Sequence, residues 1–494
     1  MPYDLSIVWL RRDLRLEDNS ALFRACRGSH RVAVMFNFDT NILCKLKSKS
    51  DQRVTYIYDT IVELDQQLRK FGSGLIVTIG DPVVEVPRIA KKLKANAVYF
   101  NEDYEPSAKA RDTKVRSRLE LAGVKCLEFK DHVIFAHTEI CKPDGSPYKM
   151  YTPYKNSWLK RLGTLQFEAQ TFENEKLVSW VEITNRESKT VSSTVSNKIS
   201  PIPPMPTLEN LGFERSNNFH VTKPGRKAAS LNLKRWAEHL GTYHTTRDFP
   251  EVDHGTSGLS VHLRFGTISI RECVRLATRK PSLGSQVWLS ELIWRDFYQM
   301  ILDQFPHVAH GSFKKQYDKI KWLGSGKNFK LWSEGRTGFP IVDAGMRQLN
   351  QTGWMHNRLR MVTASFLVKD LLVDWRKGER YFSERLLDFD LAANNGGWQW
   401  CASTGCDSQP YFRIFNPVLQ SQRFDPECKF IKRWLPELRS LSAKEIHLLP
   451  LQIPKRTIAG FRLGRNYPKP IVSHSVQKLL AVKMYDGSPR VFLD

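Results

Sequence analysis

Val54–Ile79 reads VTYIYDTIVELDQQLRKFGSGLIVTI, and its two halves obey different periods. Val54, Ile57, Ile61, Leu64 and Leu68 recur at helical spacing, which predicts one apolar helix face. Gly72 and Gly74 then supply a stop, and Leu75–Ile79 is an apolar run of strand length. A helix feeding a buried strand in this way is a building unit of a parallel α/β sheet.

Outward from that segment, Leu5–Leu10, Arg31–Asp39 and Ala97–Phe100 are further apolar runs bounded by polar or Gly/Pro residues. Together they predict an N-terminal, Rossmann-like parallel α/β domain over residues 1–135. No GxGxxG follows the first strand, so nothing marks a pyridine-nucleotide site. Residues 178–206 (VSWVEITNRESKTVSSTVSNKISPIPPMP) are rich in Ser, Thr, Asn and Pro and hold no period. An interdomain connection is therefore expected within 136–224. Beyond it the pattern turns helical, and a larger all-α domain is expected over 225–480. Within that domain Leu359, Val362, Phe366, Leu367 and Leu371 share one face of a helix expected to end near Gly378.

The composition narrows the function. The chain has 494 residues, of which 41% are hydrophobic, so it can build a substantial core. No stretch approaches the roughly 18–20 apolar residues that span a bilayer. The N-terminus turns charged too early for a secretory leader, so a cytoplasmic protein with no membrane partner is expected. Lys and Arg total 75 against 51 Asp and Glu, a formal charge of +24. Such an excess favours a polyanionic partner through counterion release, the plain alternative being a basic surface with no ligand. Thirteen tryptophans form a rich aromatic load suited to packing, stacking or redox chemistry. Eight cysteines occur without a CxxC pair, so no metal site is expected, and Cys401 and Cys406 read as small buried residues.

The chemistry concentrates in Gly353–Pro417, GWMHNRLRMVTASFLVKDLLVDWRKGERYFSERLLDFDLAANNGGWQWCASTGCDSQPYFRIFNP. A basic helix start (His356, Asn357, Arg358, Arg360) is suited to phosphate. Asp388 and Asp390 precede AANNGGWQW, read as an Asn/Gly-rich turn, with Trp375, Trp398 and Trp400 in or near it. Gly396 and Gly397 would let the backbone approach a flat ligand closely. Upstream, Thr256–Ser260 (TSGLS) offers small donors suited to phosphate. Taken singly, each element is also an ordinary capped helix, surface turn or core tryptophan.

In combination these segments resemble the photolyase/cryptochrome family, and closely its class I cyclobutane-dimer photolyases. The resemblance runs through WLRRDLRLEDNSAL (Trp9–Leu22), TPYKNSWLKRL (Thr152–Leu162), RDFP (Arg247–Pro250) and ELIWRDFY (Glu291–Tyr298). It continues in TGFPIVDAGMRQLNQTGWMHNRLRM (Thr337–Met361) and the long run above. It implies light-dependent DNA repair: reduced, anionic FAD donates an electron that splits cyclobutane pyrimidine dimers. A monomer acting on dimer-containing DNA is expected.

Residue by residue, the resemblance places Tyr243, Thr256, Ser257, Gly258, Leu259 and Ser260 at the FAD phosphates and ribityl chain. Gly258 stands where relatives carry Arg, Lys or Ser. Asn357 and Arg360 would flank the flavin. Asp388, Phe389 and Asp390 would meet its ring and ribose region, and Asn394 would face N5. Trp322, Trp375 and Trp398 match an electron relay from surface to flavin, with core packing as the plain alternative for each alone. Glu291, Trp294, Arg295, Tyr298, Asn357, Arg358, Met361 and Trp400 match the lesion pocket and its rim. A carboxylate paired with a neighbouring Arg is the plain alternative for Glu291. Arg247 and Gln420 match outlying DNA contacts.

Relatives can also hold an antenna chromophore, usually methenyltetrahydrofolate or a deazaflavin, in the N-terminal domain. Here Ser107 and Ala108 stand where folate-binding relatives place Asn and Glu, and Ala309 and His310 replace their Cys and Lys. The choice between folate, another chromophore and none stays open. Two other readings compete. A signalling cryptochrome predicts a long C-terminal extension and often Cys or Asp where this chain has Asn394. Repair of (6-4) photoproducts uses paired histidines, where this chain has Asn357 and Met361.

Overall fold

In the computed structural model, residues 2–163, 179–180, 204–216, 222–279, 281–451 and 461–486 are described. Of the connection expected at 178–206, residue 178 and residues 181–203 lie outside that set. The chain forms two compact units. The first comprises Met1–Ile140, Trp158–Ala237 and Gly258–Pro281; the second comprises Cys141–Ser157, Glu238–Ser257 and Ser282–Asp494.

The first unit is built on β1 (Tyr3–Leu10), β2 (Ser29–Asp39), β3 (Leu75–Gly80), β4 (Ala97–Asn101) and β5 (Lys125–Phe129), in the order β3-β2-β1-β4-β5. All neighbours run parallel, and Val8 at the centre pairs with Val34 on one side and Tyr99 on the other. A two-residue strand, Ser179–Trp180, also pairs with β2. The crossover helices start on side-chain caps. Asn19 accepts from the Leu22 amide, Asp51 from Arg53 and Asp81 from Val83. Leu5, Ile7, Trp9, Met35, Ile76, Val98 and Phe100 are buried together beneath the helices. The Rossmann-like α/β expectation holds. The sequence reading missed β5, a half-exposed edge strand whose KCLEF presents no continuous apolar run.

Charge holds one end of this unit. Buried Asp131 accepts from Arg15 at 2.6 Å and Arg271 at 2.8 Å, and Arg271 Nε also reaches Asp18 at 2.9 Å. Burial alone would raise the Asp131 pKa, but the two guanidiniums hold it well below the usual carboxylate range.

The second unit is helical. Its longest helix, Leu283–Gln304, opens on a reciprocal Ser282/Ser285 capping box. The helix expected to run from Leu359 to near Gly378 is instead two helices. Asn357–Ser365 passes into a single π turn, Phe366–Asp370, and the chain then breaks at Leu372, whose φ is +54°. Asp374 caps a new helix, Trp375–Arg385, through the Arg376 amide at 3.0 Å. Gly378 therefore lies inside that second helix, where a Cβ would run into the Trp398 ring. The segment AANNGGWQW, expected as a turn, belongs to a helix, Leu391–Ala402. Asp390 caps it by accepting from the Ala393 amide at 3.0 Å. Gly396 serves helix packing, since a Cβ there would meet Tyr298, whereas one on Gly397 would meet no other element among the described residues.

Candidate active site

The helix Leu283–Gln304 supplies the frame. Glu291, Trp294, Tyr298 and Gln299 stand at i, i+3, i+7 and i+8, a single face. Glu291 Oε1 accepts from Arg247 Nη1 at 2.7 Å, so the arginine-paired carboxylate is realised. Burial pushes the Glu291 pKa up, and the Arg247 charge opposes that rise without cancelling it. Arg247 also lies 5.5 Å over the ring of buried Tyr243.

Trp294 sits among aromatic rings. Tyr151 stacks on it at 3.6 Å and 7°, Phe297 meets it edge-on at 5.6 Å, and Tyr298 lies tilted at 5.3 Å. Tyr298 and Trp400 line a small, partly open pocket together with Asn395, Gly396, Gln399 and Cys406. Arg295, next on the same helix, is half-buried.

The helix Asn357–Ser365 approaches through its first turn. His356 caps it, its Nδ1 accepting from the Arg358 amide at 3.1 Å. That bond requires the unprotonated ring nitrogen, and burial lowers the His356 pKa to about 4. Exposed Asn357 reaches Met361 Sδ at 3.8 Å. Arg358 pairs with Asp248 at 2.8 Å and covers the Phe424 ring at 4.3 Å. Arg360 donates to Met355 O and to Asp388 Oδ2, each at 2.8 Å. The basic helix start is thus largely occupied by internal acceptors.

Asp388 and Asp390 have different surroundings. Asp388 Oδ1 is buried without a hydrogen-bond partner among the described residues. Both Asp390 oxygens accept from Gln299 Nε2, at 3.0 and 3.0 Å. Phe389 between them is half-buried. Asn394 donates from Nδ2 to Glu379 O at 3.1 Å, which fixes the turn of its amide. Gln420 is half-buried on the helix Pro417–Phe424.

The three relay candidates differ in exposure. Trp322 is half-buried against Tyr485 at 6.2 Å, while Trp375 and Trp398 are 1% and 2% exposed. Trp398 packs edge-on against Phe382 at 5.0 Å and Trp332 at 6.1 Å. The indole N–H groups of Trp375 and Trp398 have no acceptor among the described residues.

The TSGLS run is divided between the units. Tyr243, Thr256 and Ser257 belong to the second, with Thr256 and Ser257 half-buried. Gly258, Leu259 and Ser260 belong to the first. Gly258 adopts φ +62° with nothing among the described residues within 4 Å of a Cβ, and Leu259 is buried just before the helix Ser260–Phe265. Of the antenna positions, Ala108 is buried, Ala309 is half-buried, and Ser107 and His310 are exposed.

The sequence reading missed Asp248, Gln299 and Tyr151. Asp248 was visible inside RDFP, adjacent to Arg247. Gln299 shares the helical phase of Glu291. No sequence signal linked Tyr151 to Trp294.

Comparison with known proteins finds relatives along the whole chain. Residues 6–173 match the DNA photolyase family, and residues 288–487 match the FAD binding domain of DNA photolyase. The deoxyribodipyrimidine photo-lyase of Escherichia coli (strain K12) is 40% identical, over 98% of each chain. A bacterial class III photolyase from Agrobacterium tumefaciens superposes with a TM-score of 0.85 at 31% identity, covering 99% of this chain and 98% of that one. An archaeal photolyase from Sulfolobus tokodaii, solved with two FAD molecules, gives 0.80 at 34% identity, over 98% of this chain and 100% of that one. Among the described residues no helix is long and apolar enough to cross a membrane. A parallel α/β unit, a helical unit carrying the Glu291–Trp294 face, and full-length likeness at this identity place the chain in the DNA photolyase family.

Proposed function

We propose that this chain uses light and reduced, anionic FAD to split cyclobutane pyrimidine dimers in DNA back to monomers. The observation that carries the reading is the Glu291–Trp294 face, with Arg247 beside it, in a chain so similar throughout to a deoxyribodipyrimidine photo-lyase.

The residues fit a flavin. Asp388 Oδ1 and Gln299 Oε1 are buried acceptors without a partner among the described residues. Such acceptors suit a ligand rich in N–H and O–H donors. Asn357, Arg360, Asp388, Phe389, Asp390 and Asn394 would hold the flavin and ribose region. Tyr243 and the run Thr256, Ser257, Gly258, Leu259, Ser260 would hold the phosphates. Bound in its reduced form, FAD supplies the photoexcited electron donor.

The protein's own residues receive the lesion. Trp294, Trp400 and Met361 provide apolar surface for a dimer flipped out of the stack, where its bonds become accessible. Arg247, Arg295, Tyr298, Asn357, Arg358 and Gln420 contact the surrounding DNA. Glu291, its pKa raised by burial, is suited to share a proton with a pyrimidine carbonyl and so stabilise the radical anion of the dimer. The two bonds joining the pyrimidines break, and the electron returns with no net redox change. Trp322, Trp375 and Trp398 restore the reduced cofactor and take no part in the cleavage. The domain over 1–135 would hold any antenna chromophore. The protein works as a cytoplasmic monomer.

The test is repair of oligonucleotides carrying either lesion, incubated with reduced protein in light or dark and separated by chromatography. Adjacent thymines should be restored from the cyclobutane dimer, in light only. Restoration of the (6-4) lesion, or no light-dependent restoration, overturns the reading.

A further inference from the structure

Tyr151 opens the helix Tyr151–Leu162, remote in sequence from every lesion-pocket residue. Its ring nonetheless lies flat on Trp294, with centroids 3.6 Å apart and planes 7° apart. Such overlap covers one face of the indole. The Tyr151 hydroxyl donates to Ser290 O at 2.7 Å, anchoring the ring to the same helix about one turn before Trp294. Its backbone amide donates to Asp407 Oδ2 at 3.3 Å, and Asp407 lines the pocket shared by Tyr298 and Trp400. Phe297 braces both rings edge-on, at 5.8 Å from Tyr151 and 5.6 Å from Trp294, and Tyr154 packs against Phe297 at 5.2 Å. Lys155, one turn after Tyr151, adds a positive charge that favours the ionised form of Glu291.

We propose that Tyr151 is a positioning residue for lesion recognition: it backs one face of Trp294 and fixes the plane in which the indole meets the flipped pyrimidine. This rests on the reading of Trp294 as a stacking surface. A half-buried indole on a helix has two rotatable side-chain bonds, and freezing them before binding removes an ordering cost from recognition. The hydroxyl bond to Ser290 sets the phase of the tyrosine, and the stack transmits it to Trp294. Tyr151 itself meets neither base nor cofactor in this scheme.

The experiment measures affinity for a duplex carrying a cyclobutane thymine dimer and for the same undamaged duplex, at one salt concentration. Flavin content and repair at saturating DNA are read in parallel. Tyr151→Leu should weaken lesion binding about 3- to 10-fold, the range expected for losing one aromatic pair, with undamaged duplex nearly unchanged. Repair at saturating DNA should fall less than affinity. Tyr151→Phe keeps the ring and should retain most of the lesion preference. If the Leu variant loses flavin, Tyr151→Met, which fills the space with an unbranched apolar chain, is read instead. Full lesion preference in the Leu or Met variant, with Trp294→Ala impaired, overturns the role of Tyr151 alone. Full preference in Trp294→Ala as well overturns the stacking role from which it derives.

Discussion

Arg247 Nη1 lies 2.7 Å from Glu291 Oε1, so the carboxyl whose pKa burial raises faces the cation that opposes the rise. The pair sets two influences against each other on one proton. Removing Arg247 relieves only the opposing one.

Repair at saturating dimer-containing DNA should therefore respond to pH through Glu291. With the arginine charge gone in Arg247→Gln, the Glu291 pKa rises further, and protonation sets in at higher pH. The pH profile of repair should shift upward relative to the parent, and the shift should vanish in Glu291→Gln. Superimposable profiles for the parent and Arg247→Gln would separate the pair from catalysis.

Glu291→Ala should lower repair yield per photon more than lesion affinity, because its benefit is greatest for the charged intermediate. A hydrogen bond to a charged group contributes roughly 1.5–3 kcal/mol, so about a tenfold loss or more is expected if that step limits the yield. Quantum yield and dissociation constant, measured on one oligonucleotide, give the comparison.

Trp294→Ala should weaken binding of the damaged duplex by roughly 1–3 kcal/mol, the scale of one aromatic–base stack. Undamaged duplex, held by phosphate contacts, should change little. Equal weakening of both, at a single salt concentration, contradicts stacking.

Trp398→Phe should block photoreduction of oxidised flavin yet spare repair by protein already reduced. Gly378→Ala offers a second approach, because its methyl group would press on the Trp398 ring. Overpacking of that kind costs about 1–3 kcal/mol and should lower Tm. A normal photoreduction rate in Trp398→Phe removes this indole from the relay.

His356 contributes to the acid limb of stability, as does buried His262, whose pKa is also lowered to about 4. The folded pKa of His356 is lowered to about 4, below the ordinary histidine value. A depressed folded pKa contributes stability above the unfolded value and loses it as pH falls toward the folded one. Denaturation midpoints should therefore decline on acidification from the ordinary histidine range towards about 4. His356→Asn, which retains a cap acceptor without a proton to gain in that range, should show a shallower decline.

The sequence revealed what apolar period controls and little of what packing controls. Strands β1 to β4 were legible because each is a buried run; β5 was hidden by Lys125 and Glu128 on its edge. The face from Leu359 to Leu371 was visible, but φ +54° at Leu372 leaves no trace in hydrophobic spacing. In AANNGG the intrinsic tendency of Asn and Gly toward turns was overruled by the Asp390 cap and by contact with the Tyr298 ring. The candidate site was named through motif likeness rather than physics. Tyr151 escaped because its partner Trp294 lies far along the chain, and Gln299, though in helical phase with Glu291, because its pairing with Asp390 leaves no mark in spacing.

Gly396 and Gly397 give one helix two unlike positions: a Cβ on the first would meet Tyr298, and one on the second would meet no other element among the described residues. Glycine inside a helix costs about 0.5–1 kcal/mol relative to alanine. Packing against Tyr298 offsets that cost at Gly396, and among the described residues no contact does so at Gly397. Heat tolerance is thus left unclaimed at one position beside the binding region. Gly397→Ala should raise Tm, and its flavin affinity relative to the parent measures how closely this turn of the helix approaches the cofactor.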